Sequence, residues 1–352
     1  MRICIVADPH WSQNSSIVRS RGTIYSARLH NLIDSVNWVE GLANMENCSS
    51  VFYIGDFFDS CQLNSEEISA LQEVRWMPVS HVFLTGNHET NVGNLQYATT
   101  DVFKLCPNST VINTPQAFML EGASNLEVCF LPYILEKDRL TITDYFGEPH
   151  SRRVIFSHND LKDVSYGPII SKEGFSVEDI HKNCDLFING HIHHGMKVTD
   201  KIINVGNLTG QNFTEDAFKF EHCVAIIDTE TLHIDYYANP YAFNFYKIDF
   251  TRRYSVTDLR KVLDKLRNNA VITLKVSNGF VKDAREFMDS IGKHFVHTYR
   301  LIVEPDLNTI NELNEPSFEQ LDHMEAFKRY VHEFIGSSDI IEDELNKVIQ
   351  GV

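Results

Sequence analysis

Arg2-Ile3-Cys4-Ile5-Val6-Ala7-Asp8-Pro9-His10 decides how the rest of the chain is read. A short run rich in apolar and β-branched residues, without clean alternation, predicts a strand buried on both faces. The run leads straight into Asp8 and His10. The same arrangement recurs four times. Val51-Phe52-Tyr53-Ile54 leads into Gly55-Asp56-Phe57-Phe58-Asp59, and His81-Val82-Phe83-Leu84-Thr85 into Gly86-Asn87-His88-Glu89. Val154-Ile155-Phe156 leads into Ser157-His158, and Asp185-Leu186-Phe187-Ile188-Asn189 into Gly190-His191-Ile192-His193. Strand ends of this kind are where an α/β sheet presents ligands to a crevice.

Between these runs the period changes. Leu29, Leu32, Ile33, Val36, Trp38, Val39 and Leu42 predict an amphipathic helix over 26–46. Ile68, Leu71 and Val74 predict another over 65–76, capped by Ser65. Strand, ligand-bearing loop, helix and strand make a layered α/β pattern. The glycines before Asp56, Asn87 and His191 let the chain turn sharply at a strand end. One Gly-Asp or Gly-Asn alone would mark a turn and no more. The ordered set, each member behind a strand and beside a His or Asp, marks a site. Carboxylate and amide oxygens mixed with imidazole nitrogens suit divalent cations that accept both donor types. No cysteine lies in any motif, which argues against a structural zinc site.

These five blocks resemble the calcineurin-like metallophosphoesterase superfamily, whose pattern is D-x-H, G-D-x-x-D, G-N-H-[DE], a lone His and G-H-x-H. Within it the chain is similar to the SbcD-type nucleases of double-strand-break repair, including the phage recombination endonuclease subunits. The first block stands at the N-terminus, a small α/β segment follows the core, and an acidic helical tail closes the chain. The fold so implied is a layered β-sandwich core flanked by helices. The resemblance implies two divalent metal ions, Mn²⁺ as the usual pair. Asp8, His10 and His193 would hold one ion, and Asn87, His158 and His191 the other. Asp56 would bridge them. His88 would stabilise phosphoryl charge and protonate the leaving oxygen, with Asp59 accepting a hydrogen bond from His88. The implied partners are DNA, an SbcC-type coiled-coil ATPase and a second copy of the chain, the helix at 26–46 or 65–76 serving as the dimer contact. Small-molecule phosphodiesterases and phosphomonoesterases on the same core are the alternative. Protein Ser/Thr phosphatases resemble G-D-x-V-D-R-G in the second block, whereas here Asp59 is followed by Ser60-Cys61.

The chain's 352 residues predict two or three compact units. These are a nuclease core over 1–240, a small α/β capping segment over 241–303, and a tail over 304–352. Within the second, strands are predicted at 243–250, 271–276 and 297–303, with helices near 256–268 and 281–294. Residues 222–238 read as a hairpin around Asp228-Thr229-Glu230-Thr231. In the tail, Phe318, Leu321, Met324, Phe327, Val331 and Phe334 line one side of a predicted helix, which would dock on the ATPase.

The net charge of −17 is unusual for an enzyme acting on DNA. The tail concentrates it: from Glu304 onward 12 acidic residues face Lys328, Arg329 and Lys347. Arg19, Arg21 and Arg28 follow the first motif and are candidate contacts to backbone phosphate. Of 16 histidines only the five in motifs have a ligand-like context; His81 and His222 read as ordinary histidines. Asn204-Val205-Gly206-Asn207 resembles a phosphate-facing turn of the family. Seven cysteines without a C-x-x-C pair read as reduced thiols in a cytoplasmic setting. No apolar stretch approaches the roughly 18 residues of a membrane span, and no signal segment is expected.

Overall fold

The Arg2–Val6 strand is buried on both faces, as its composition predicts, because it lies at the centre of a sandwich. In the computed structural model it pairs in parallel with Cys48–Ile54, which continues to Ser80–Leu84 and Ser109–Ile112. On its other side runs the predicted hairpin, Cys223–Asp228 antiparallel to Ile234–Ala238. A second six-stranded sheet is built from Met196–Lys197, Ile202–Asn204, Leu186–Asn189, Arg152–Ser157, Leu126–Leu131 and Gln116–Met119, in that order. The structure describes residues 1–17, 23–91, 94–120, 125–166, 169–252, 255–291 and 296–304.

Ile3, Ile5, Phe52 and Ile54 of the first sheet meet Phe130, Phe156, Leu186 and Ile188 of the second in one apolar core. Phe52 sets its ring edge-on to Phe130 and Phe156, at centroid distances of 5.2 and 5.1 Å. Alternate residues of the same strands point outward. Cys4, Val6, Tyr53 and Phe83 lie under the helix Ala27–Met45. Cys129, Leu131, Ile155 and Phe187 lie under Ile142 and Ile180 of the short helices Ile142–Phe146 and Val177–Asn183. Helix, sheet, sheet, helix is therefore the layer order, and the mixed α/β sandwich expected from the motifs is what forms.

The long helix begins where predicted, with Ser26 Oγ accepting the Leu29 N–H at 3.2 Å. The second helix is shorter than its periodicity predicts and covers Ser65–Leu71. Its cap is Asn64 rather than Ser65, closed as a capping box with Glu67. Past Leu71 the Gln72, Glu73 and Val74 N–H groups turn to the Ser69, Ala70 and Leu71 carbonyls three residues back, and Asn37 and Glu40 of the long helix take the Arg75 and Met77 N–H groups, at 2.7 and 3.0 Å. Those N–H groups are then lost to helical bonding.

Residues 244–304 form a third, three-stranded parallel sheet, ordered Asn244–Phe250, Ala270–Ser277 and Val296–Glu304. Helices Val256–Leu263 and Val281–Ser290 cover one face with an apolar core of its own. The other face sets Phe245 and Val271 against Ile17 and Phe213. Residues Met1–Glu304 form one compact unit. The predicted tail helices from 305 onward lie outside the described residues, as do Arg19 and Arg21. Among the described residues no helix is long and apolar enough to cross a membrane.

Candidate metal centre

Each motif sits on the loop after a parallel strand, and the two sheets bring all five loops to one edge of the sandwich. The G-D-x-x-D loop is anchored by its two middle residues. Phe57 and Phe58 are buried among Trp76, Phe83 and Phe103. Trp11 stacks on Phe57 at 5.9 Å and donates its indole N–H to the Glu67 carbonyl. Asp56 and Asp59 thus project from a loop pinned by aromatic burial, and His10 from a loop pinned by Trp11.

The backbone at the site is strained. Asp8, His10, Asp56 and His191 have φ of 49°, 50°, 46° and 72°. Each such residue costs of the order of 1–3 kcal/mol, and such outliers collect at functional sites. Gly55 is required twice over: its φ is +100°, and a Cβ there would lie 2.0 Å from His158 Nδ1. A Cβ on Gly86 would lie 2.1 Å from Asp56 Oδ1.

Three groups of side chains converge: Asp8, His10 and His193; His10, Asp56 and His88; and Asp56, His158 and His191, with ligand atoms within 4.8 Å of one another in each. Asn87 Oδ1 joins the third, 2.9 Å from His191 Nδ1. Backbone N–H groups fix the carboxylates. His191 N donates to Asp8 Oδ2 at 3.1 Å and His88 N to Asp56 Oδ1 at 2.9 Å. The remaining oxygens face inward: Asp56 Oδ2 is 3.2 Å from His158 Nε2 and 3.9 Å from His10 Nε2.

The imidazoles are oriented from behind. His10 Nδ1 donates to Asp59 Oδ1 at 2.9 Å, and His158 Nδ1 to the Ile54 carbonyl at 2.9 Å. Asp160 stands 3.4 Å from His191 Nε2, and Glu215 stands 3.9 Å from His193 Nδ1. An acceptor behind each ring fixes which nitrogen offers its lone pair, as metal-binding histidines require. His10 and His193 then aim Nε2 atoms at each other 3.0 Å apart. Among the described residues, Asp8 Oδ1 and His158 Nε2 are buried without a hydrogen-bond partner. Facing lone pairs and orphaned buried donor atoms are what a cation would satisfy, so these residues fit divalent metal ions.

The electrostatics agree. Burial pushes the Asp56 carboxyl upward, but His158, His10 and His88 outweigh it and hold it below the usual carboxylate range. Burial opposes charge on His158, yet Asp56 and Asp8 lift its pKa to about 9. The carboxylates that hold this proton are those that would hold a cation, whose binding would release it. Burial is the main reason that His10 titrates below its ordinary value, which keeps it neutral as a ligand must be. Glu89 is pushed up to about 8, first by burial and then by Asp56. It accepts the Gly86 and Phe58 N–H groups at 2.7 and 3.1 Å and ties the second loop to the third.

Three expectations change. The Asp59 carboxylate bonds His10; His88 Nδ1 donates instead to the Asp59 carbonyl at 3.1 Å, its distance to the carboxylate being 3.6 Å. The reason is reach: Asp59 lies alongside Trp11 and meets the inner ring first. Arg28 is buried, and its guanidinium donates to the Gly210 and Pro9 carbonyls at 2.7 and 2.9 Å, so it offers nothing to a phosphate. Asn204 does not face the site as a phosphate contact; its amide donates to the Ile192 and His194 carbonyls at 2.6 and 2.9 Å and shapes the last motif. Asn159, Asn189 and Glu215 pack behind the motif loops, and no motif points to them. Asn159 donates to the Leu131 and Pro132 carbonyls and accepts Ile134 N–H, while Asn189 donates to the Asn159 and Gly190 carbonyls. Lone amides carry no spacing signal. His81, read as ordinary, is a buried partner of Glu40 at 3.0 Å.

Residues 1–195 match the calcineurin-like phosphoesterases, and the chain belongs to that family. It is a metal-dependent phosphoester hydrolase by family and by donor set. Similar solved structures include a dimetal phosphatase from Danio rerio (12% identity, TM-score 0.37, 64% of this chain and 91% of that one). The protein TT1561 of Thermus thermophilus is similar at 10% identity and TM-score 0.37, over 67% of this chain and 98% of that one. A metallophosphoesterase from Sphaerobacter thermophilus is similar at 13% identity and TM-score 0.30, over 68% of this chain and 88% of that one. No curated protein matches the chain. Membership rests on the match over 1–195 and on the geometry above.

Proposed function

We propose that this chain is a two-metal DNA nuclease with exonuclease and endonuclease action. It would be the nuclease subunit of an SbcCD-type complex in double-strand-break repair and recombination. The observation that carries the phosphoester-hydrolysis part of the reading is His88. Its side chain is 42% exposed and its Nε2 stands 4.0 Å from Asp56 Oδ2, beside the ligand atoms but free to meet substrate. A diester needs its leaving alkoxide protonated, and a non-ligand histidine at the mouth supplies that group.

The residues divide the work as follows. Asp8, His10 and His193 would hold one divalent cation; Asn87, His158 and His191 the other; Asp56 both. When bound, the cations supply Lewis acidity and a nucleophile at neutral pH. His88, held through Nδ1 by the Asp59 carbonyl, directs Nε2 at the phosphoryl group and passes a proton to the leaving oxygen. Asp59, Asp160 and the Ile54 carbonyl keep the ligand rings in place. The DNA assignment is supported by the order of motif core, three-stranded α/β segment and acidic tail. The tail is the proposed dock for an SbcC-type coiled-coil ATPase.

The test is to incubate the full chain and Mn²⁺ with single-stranded DNA, double-stranded DNA and an aryl phosphodiester. DNA degradation that disappears in Asp8→Ala supports the reading. Turnover of the aryl ester with intact DNA would assign the site to small phosphoesters. Deleting residues 315–352 should abolish co-purification with the ATPase.

A further inference from the structure

We propose that Glu215 is a positioning residue for His193 and that the third sheet holds Glu215 in place. The inference rests on reading His193 as a cation ligand. Three of the four ligand histidines have their rear acceptor inside or beside a motif: Asp59, the Ile54 carbonyl and Asp160. The fourth acceptor comes from far beyond the last motif.

Glu215 is almost wholly buried, its side chain 7% exposed. Oε1 accepts Asn207 Nδ2 at 3.2 Å and Gln211 N at 2.9 Å, and faces His193 Nδ1 at 3.9 Å. A carboxylate is not buried without a use for its charge. Oε2 faces His222 Nε2 at 3.8 Å, and both atoms are buried without a hydrogen-bond partner among the described residues. His222 is itself fixed, donating Nδ1 to the Asn207 carbonyl at 3.1 Å. Asn207 completes the circuit, because its N–H donates to the His193 carbonyl at 3.2 Å. Backbone and ring of His193 are thus referred to one small buried cluster.

That cluster hangs from the third sheet on both sides of Glu215. Gly210 N donates to the Phe243 carbonyl at 3.0 Å and Ala217 N to the Phe245 carbonyl at 2.6 Å. Lys247 Nζ donates to the Thr214 carbonyl at 2.7 Å, and Ala217 is part of the third sheet's core. The segment after the family-matching residues therefore reaches His193 through Glu215.

The experiment is Mn²⁺ titration calorimetry with electron paramagnetic resonance on the full chain, comparing wild type, Glu215→Ala and Glu215→Gln. Removing an outer support typically costs about 10–100-fold in metal affinity. The expected result is that loss for one of two ions in Glu215→Ala and a smaller loss in Glu215→Gln, the other ion binding as in wild type. At a concentration that fills both wild-type sites, the spin-coupled pair signal gives way to that of a single ion. Glu215→Gln keeps the shape and can donate to His222 Nε2, so it carries the test should the alanine variant not fold. Two ions bound at wild-type affinity in the variants overturn the inference. A wild-type chain that binds fewer than two ions overturns the reading of the centre instead.

Discussion

On the first sheet, Asp8 and His10 are 0% and 1% exposed; on the second, His191 and His193 leave 20% and 30% of their side chains open. The contrast follows from what holds each set. First-sheet loops are fastened to one another by residues in or next to the motifs: Phe57, Phe58 and Trp11 by burial, Glu89 by its two backbone bonds, Asp59 by its bond to His10. Second-sheet loops rely on partners the motifs do not include: Asn159, Asn189, Asn204 and Glu215. The wall from the first sheet is fastened by motif residues and the wall from the second by partners outside the motifs, and the centre opens to solvent at His88 on the first and at His191 and His193 on the second.

The largest effect should come from the residue joining the walls. Asp56→Ala is expected to lose both ions in a Mn²⁺ titration and lower phosphoester turnover by about 10³-fold or more. If one ion stayed at full affinity, Asp56 would belong to the first wall alone. His88→Ala should keep both ions and lose about 10²–10⁴-fold in turnover, because a proton donor and no ligand is removed. Wild-type turnover in that variant would take His88 out of the chemistry.

The second wall is probed by Asn159→Ala, which takes the Asn159 side chain from the Ile134 N–H and the Pro132 carbonyl and leaves the Leu131 carbonyl only the His158 N–H. Denaturant unfolding should show a loss of the order of 2 kcal/mol. An unchanged midpoint would mean that the amide ladder is not what holds this wall. The last effect is in pH. In the metal-free protein His158 has its pKa raised to about 9 by Asp56 and Asp8 against the cost of burial, from about 6.5 in an unfolded chain. A raised pKa contributes stability that is complete below about pH 6.5 and is lost as pH rises through about 9. Melting curves in chelator should fall across that window, and those of His158→Gln should fall less.

The legibility of the sequence follows the same division. The first wall is readable because its ligands, supports and strands are contiguous: Gly55 to Asp59 carries a ligand, two anchors and the acceptor for His10. The strands of the second sheet at Leu126–Leu131, Gln116–Met119 and Ile202–Asn204 are not predicted. Without a motif at their ends, nothing distinguishes them from loops. The third sheet is readable from its strand-helix alternation over 243–303, but its link to the centre through Glu215 is not, since one glutamate in a loop has no periodicity. Arg28 misleads because a basic residue near a motif looks like a phosphate contact until its burial is known. The lone asparagines escape notice because their function lies in backbone carbonyls that only the folded chain brings together.

The central claim is that seven side chains from both sheets hold a pair of divalent cations bridged by one aspartate. Anomalous diffraction at the manganese edge from Mn²⁺-soaked crystals tests it most directly. Two peaks are expected, one among Asp8, His10 and His193 and one among Asn87, His158 and His191, with Asp56 touching both. A single peak, or peaks away from these residues, would contradict the account.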